Sequence, residues 1–145
     1  MKYHHSFLVR APLASVSEFH SRAESMTAIT PLPIIIQMRH APATLAEGDV
    51  MDFTMWLGPF PIHWLARIQD VSAIGFTDRQ LEGPFAEWIH QHIFEAVDEQ
   101  TSVILDEVNL RLRSHPIWWL VGMTMWLGIP LLFAYRAWKT RRTLQ

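Results

Sequence analysis

Cysteine is absent from this 145-residue chain, which excludes disulfides and thiolate-bound metals and fits a reducing, cytoplasmic setting. A basic excess is missing too. With a formal net charge of -2 the chain has no general attraction for polyanions. Its basic residues are scattered until Arg136, Lys139, Arg141 and Arg142, so nucleic acid is not an expected partner. The opening MKYHHSFLVR lacks the apolar core of a signal peptide and reads as a strand. No Ser-His-Asp elbow, glycine-rich phosphate loop or H-E-x-x-H motif occurs, which removes the most recognisable hydrolase, nucleotide-binding and zinc-protease signatures. The length suits one domain spanning residues 1–145, large enough to bury a core.

What is present is an ordered alternation of strand and helix signals. Tyr3 to Val9 reads as a strand, and Ala11-Pro12-Leu13 leads into a short helix carrying Leu13, Val16 and Phe19 on one side. A second short helix is expected from Arg22 to Ile29, stopping before Pro31 and Pro33. Strands follow at Ile34–Met38, Val50–Leu57, Ile62–Ile68 and Phe76–Leu81, the middle pair joined as a hairpin through Gly58-Pro59-Phe60-Pro61. On the second arm of that hairpin Ile62, Trp64, Ala66 and Ile68 share one face. A long helix begins near Pro116 and is expected to run to about residue 142. The order predicts an α+β domain in which a curved antiparallel sheet of six to seven strands wraps a long C-terminal helix, with two short helices after strand one.

The most informative segment runs from Phe76 to Leu112 and contains two alternating strands joined by an acidic turn. Trp88, His90, His92 and Phe94 fall on one face, because side chains alternate strictly along a strand. If Asp98-Glu99-Gln100 is the loop, paired positions place Phe94 opposite Ile104, His92 opposite Asp106 and His90 opposite Val108. Directly opposed side chains stand roughly 4.5 to 5.5 Å apart at Cβ, so Asp106 is the expected partner of His92, and His90 is left facing a cavity. Asp78 and Gln80 share a face of the preceding strand and could extend the network. Four readings fit the pair of histidines: a satisfied polar cluster that pins register, a group that orients a ligand, an acid-base pair, and a metal site. Histidines at alternate strand positions are only a weak metal signal, and neither metal nor cofactor is expected.

The string Gly83-Pro84-Phe85, Trp88, His90, His92, Phe94 resembles the signature of a bacterial branch of the SRPBCC superfamily, which has the helix-grip (Bet v 1-like) fold of START domains and polyketide cyclases. Phe76-x-Asp78-x-Gln80, Thr101 with Asp106, and Ala11-Pro12-Leu13 leading to Phe19 match the same branch. The resemblance implies a hydrophobic cavity between sheet and last helix that binds, carries or transforms apolar small molecules. The fold alone does not choose among these uses.

The leading reading is therefore a binding module for a lipid or polyketide-like molecule, with Trp64, Asp78, Gln80, Trp88, His90, His92, Phe94, Asp106, Val108 and Met125 as ligand-facing residues. The alternative is a cyclase or dehydratase with His92 as base and Asp106 as its partner. His4, His5, His20, His40 and His115 read as surface or loop residues. A third reading starts from Pro116 to Tyr135, which carries no charge and is long enough to span a bilayer. We read it as the cavity-closing helix, because removing it would bare the apolar face of the sheet. Only Thr124 interrupts its apolar outer surface, so a homodimer partner, a membrane surface or an unusually enveloping sheet is expected against its second face.

Overall fold

The computed structural model describes residues 1–145. Its elements are β1 (Lys2–Val9), α1 (Leu13–Ser21), α2 (Ala23–Ala28), β2 (Ile34–His40), β3 (Val50–Leu57), β4 (Phe60–Ser72), β5 (Gly75–Glu82), β6 (Glu87–Asp98), β7 (Thr101–Arg111) and α3 (Pro116–Leu144). All seven strands form one sheet in the order β1-β7-β6-β5-β4-β3-β2. Strands β2 to β7 are an antiparallel meander, and β1 pairs with β7 at the end of it.

The period of two in the sequence decides which face is covered. On β4 Ile62, Trp64, Ala66 and Ile68 are buried while His63 and Arg67 are exposed. On β7 the buried set is Ser102, Ile104, Asp106, Val108 and Leu110. This face receives α3, which starts with Pro116 and with the His115 ring accepting a hydrogen bond from the Ile117 N–H. Its inner stripe is Gly122, Ile129, Phe133, Ala137 and Thr140. Glycine is needed at the first of these, because a Cβ there would come within 2.7 Å of the Leu112 side chain and 3.3 Å of Phe85. The helix continues through Pro130, whose ring is on the exposed side.

The structure departs from the sequence reading mainly at element ends. Strand β4 is longer than the expected Ile62–Ile68, α2 is shorter than Arg22–Ile29, and α3 reaches Leu144. The β6–β7 turn also differs: Asp98 pairs with Thr101, so only Glu99 and Gln100 form the loop. A tighter loop would shift the pairing by one residue, but the ladder is irregular between Ala96 and Asp98, where Val97 has no partner. This bulge restores the register, and His92 still stands opposite Asp106 and His90 opposite Val108.

Gly75 opens β5 with φ of 146°, and a Cβ placed on it would lie 2.0 Å from the His92 carbonyl oxygen. Backbone cannot yield as a flexible side chain can, and glycine in a strand interior often marks such an approach. Gly75→Ala is expected to lower unfolding free energy by about 2 kcal/mol or more, measured by urea denaturation, with the β5–β6 edge losing amide-exchange protection first.

Candidate functional site

Three adjacent strands bring two histidines and two carboxylates together under the helix. Strand β6 supplies His90 and His92, β5 supplies Asp78 opposite His90, and β7 supplies Asp106 opposite His92. The hydrogen bonds run along the diagonals. His90 Nε2–H donates to Asp106 Oδ1 at 2.8 Å, and His92 Nε2–H donates to Asp78 Oδ2 at 2.8 Å. The ring nitrogens must donate here because an ionised carboxylate only accepts. The opposed pairs are more distant: His90 Nδ1 is 3.5 Å from Asp78, and His92 Nδ1 is 3.5 Å from Asp106. The rings stack with centroids 3.8 Å apart, and Phe76 covers the second face of His92 at 4.2 Å.

This corrects the expected pairing. His92 takes Asp78 as its hydrogen-bond partner, and Asp106 goes to His90. The reason is that long side chains also reach diagonal neighbours across a ladder, and a central strand has neighbours on both sides. Considering only the β6–β7 hairpin left the β5 carboxylate without a defined place.

The four side chains are nearly enclosed, with exposures of 3% for His90, 8% for His92, 9% for Asp106 and 16% for Asp78. Burial alone would raise both carboxyl pKa values, but the neighbouring histidines, helped by Arg136, outweigh it and hold both groups below the ordinary carboxylate range. Burial and the charge of His90 push the His92 pKa down, against the opposing pull of Asp78 and Asp106. Both nitrogens of each ring thus face a carboxylate oxygen. Asp78, His90 and His92 also place one potential metal-ligand atom each within 4.8 Å of one another. A cation there would have to displace the protons that bind the four groups together.

Beside this group lies a cavity of about 410 Å³, a volume typical of small-molecule sites. Of the residues expected to face a ligand, Trp64, Asp78, Trp88, His90, His92 and Met125 line it. Gln80, Phe94, Asp106 and Val108 do not. Gln80 clamps the Gly83-Pro84-Phe85 turn, its amide donating to the Phe85 carbonyl at 2.8 Å and its oxygen accepting from the Phe85 N–H at 3.2 Å. Phe94 packs with Val16, Ile104 and Ala137 in a separate apolar cluster, and Val108 is part of the main core. Asp106 lies behind His90.

Among the lining residues that the sequence reading did not assign to the site are His20 and Arg136. His20, expected at the surface, is on α1 with its ring 4.8 Å from Phe94 and 6.4 Å from His92, and its Nδ1–H donates to the Val16 carbonyl. Arg136, counted with the terminal basic residues, turns inward and lines the cavity. Helical phase carries the signal for both. His20 is four residues after the buried Val16, and Arg136 is seven after Ile129 and four before Thr140. His5 also differs from expectation: it stands on β1 opposite Asp106 with its ring 5.8 Å from Phe133.

The apolar surroundings of His20 push its pKa down to about 4. The unfolded chain therefore takes up a proton near pH 6.5 that the folded chain refuses until about pH 4, so this contribution to stability is present above pH 6.5 and is lost as pH falls. His92, also lowered, acts in the same direction. Unfolding free energy is expected to drop by about 1–2 kcal/mol for His20 between pH 7 and 5. His20→Phe should give a flatter profile in urea denaturation across that range.

No protein-family model and no curated protein matches the chain. Solved structures do. An aromatase/cyclase, Zhui, from a Streptomyces species is 16% identical over 99% of this chain and 95% of its own, with a TM-score of 0.71. A norcoclaurine synthase from Thalictrum, solved with a transition-state analogue, is 15% identical over 99% and 93%, with a TM-score of 0.72. A nucleoside-diphosphate sugar epimerase from Corynebacterium glutamicum is 25% identical over 97% of this chain but only 28% of its own, with a TM-score of 0.66. The seven-stranded antiparallel sheet, the two short helices after β1 and the long C-terminal helix are the helix-grip, Bet v 1-like fold, as the resemblance in the sequence implied.

Proposed function

We propose that the protein binds an apolar or amphipathic small molecule, lipid-like or polyketide-like, in the cavity between sheet and α3, with the polar end of the ligand toward Asp78, His90 and His92. One observation carries this reading: a space of about 410 Å³ lies between largely apolar walls and is bordered by the nearly enclosed polar group of Asp78, His90 and His92. Apolar pockets with a few convergent polar groups are the usual form of small-molecule sites. Binding is favoured over turnover by His92 because a general base needs a ring nitrogen free to take the substrate proton, and both nitrogens of His92 face carboxylates. All three of the similar structures described above are named as enzymes, so turnover stands as the alternative to binding alone.

A second reading adds the place where the ligand is acquired. On the outer side of α3, Ile117, Leu120, Leu127, Leu131 and Trp138 are exposed, and Leu131 also borders the cavity together with Leu32, which is 80% exposed. The helix is long and apolar enough to cross a bilayer, yet its inner stripe is needed to cover the sheet. Contact with a membrane surface uses both faces. No acidic residue follows Glu107, while Arg113, Lys139, Arg141 and Arg142 flank the apolar stripe, which suits anionic headgroups.

Gly128 faces the cavity from α3 and has no atom within 4 Å of an added Cβ. Gly128→Phe should therefore leave the thermal midpoint unchanged or higher, since glycine disfavours helix, while lowering affinity for a neutral apolar probe such as Nile red at least about tenfold. Equal binding by both proteins would place the ligand elsewhere. For the second reading, wild-type protein is expected to float with vesicles containing phosphatidylglycerol at low salt, and Leu127→Glu with Leu131→Glu to stay in solution. Flotation that ignores both lipid charge and these substitutions would overturn surface docking.

A further inference from the structure

Arg136 is the one strongly cationic group in the cavity wall besides Arg22 at its edge, and it forms no hydrogen bond or ion pair with any protein group. Its Nε is fully enclosed without a partner, its guanidinium carbon lies 5.4 Å from the Phe133 ring centroid, and the residue, half-buried overall, lines the cavity. A guanidinium stays charged in a protein and offers five donors in a plane. Leaving the enclosed Nε–H without an acceptor is costly. Asp78 and Asp106 favour the charge of Arg136 through space, but their hydrogen bonds are directed to His92 and His90, so the guanidinium has no protein acceptor.

We infer that the ligand of this cavity ends in a single carboxylate and that Arg136 receives it. This deepens the binding reading above and rests on it. Leu131 and Leu32, both strongly exposed, mark an open side of the cavity, and Arg136 is five residues further along α3 than Leu131, about 7.5 Å at 1.5 Å per residue. The lining also includes the apolar Ile129 and Leu132 on α3 and Phe53 on β3. The planar fork matches a carboxylate through two parallel N–H···O bonds. A doubly charged headgroup such as a phosphate monoester is disfavoured by the fields of Asp78 and Asp106, which already act on Arg136. A neutral alcohol would offer the guanidinium one uncharged acceptor in place of two charged ones. His20, uncharged at neutral pH, completes an apolar collar beside it.

Isothermal titration calorimetry of the full chain with dodecanoate and with dodecanol at neutral pH separates these possibilities. The wild type is expected to prefer the acid by about 10- to 100-fold, the range for hydrogen bonds to charged groups. Arg136→Gln should bring the ratio near one, chiefly by lowering dodecanoate affinity at least about tenfold. Arg136→Lys, which keeps the charge and loses the fork, should retain part of the preference, and it stands in if the glutamine variant does not fold. Equal affinity of the wild type for acid and alcohol, or a preference that survives Arg136→Gln, overturns the carboxylate inference and leaves the binding reading intact. Failure of the wild type to bind either compound overturns both.

Discussion

Four ionisable side chains at the centre of the sheet have almost no access to water, and the rest of the site is arranged around the hydrogen bonds that join them. Two carboxylates from β5 and β7 stand on either side of two imidazoles from β6, and every ring nitrogen faces an oxygen. Removing one member of such a group strands its partner and is far more costly than the net worth of the pairing, roughly 3–5 kcal/mol for buried pairs. The box therefore constrains three strands at once. A slip of any one of them by a single residue would turn its polar member to the opposite face of the sheet.

That constraint explains how a cavity can exist in a domain of this size. Ordinarily an apolar sheet face and an apolar helix close on each other to native packing density. Here α3 packs closely at Gly122, beside Leu112 and Phe85, and buries Ile129, Phe133, Ala137 and Thr140 further along. The cavity wall combines apolar sheet residues such as Phe53, Trp64 and Trp88 with the polar group, and Gly128 on the helix supplies no side chain to fill the space.

The fold was legible in the sequence because each of its signals is local or periodic. Alternation on β4, β6 and β7, the proline-led start of α1 and the uncharged run of α3 fix the element types without tertiary information. Register was legible as well, although through a compensation: the shorter turn and the bulge at Val97 cancel. The site was less so. Which carboxylate belongs to which histidine depends on side-chain lean across two ladders, a three-dimensional property. Gln80 shares a strand face with Asp78 but is drawn off to the Phe85 backbone by a turn whose geometry the sequence does not display. Arg136 looked like part of a basic tail because charge was read linearly, whereas its helical phase relative to Ile129 and Thr140 assigns it to the interior.

The cancelling pair at the tip of the β6–β7 hairpin has a consequence for how such a chain can change over time. Since the two-residue turn and the unpaired Val97 offset each other, a variant that loses the bulge and gains one loop residue leaves the strands below Ala96 untouched. The tip is then free to drift in length through paired insertions and deletions, while an unpaired one is registered several residues away, at the four buried ionisable side chains. Lineages carrying this hairpin should differ in its tip by compensated steps and hardly at all in the spacing from Asp78 to His90 or from His92 to Asp106.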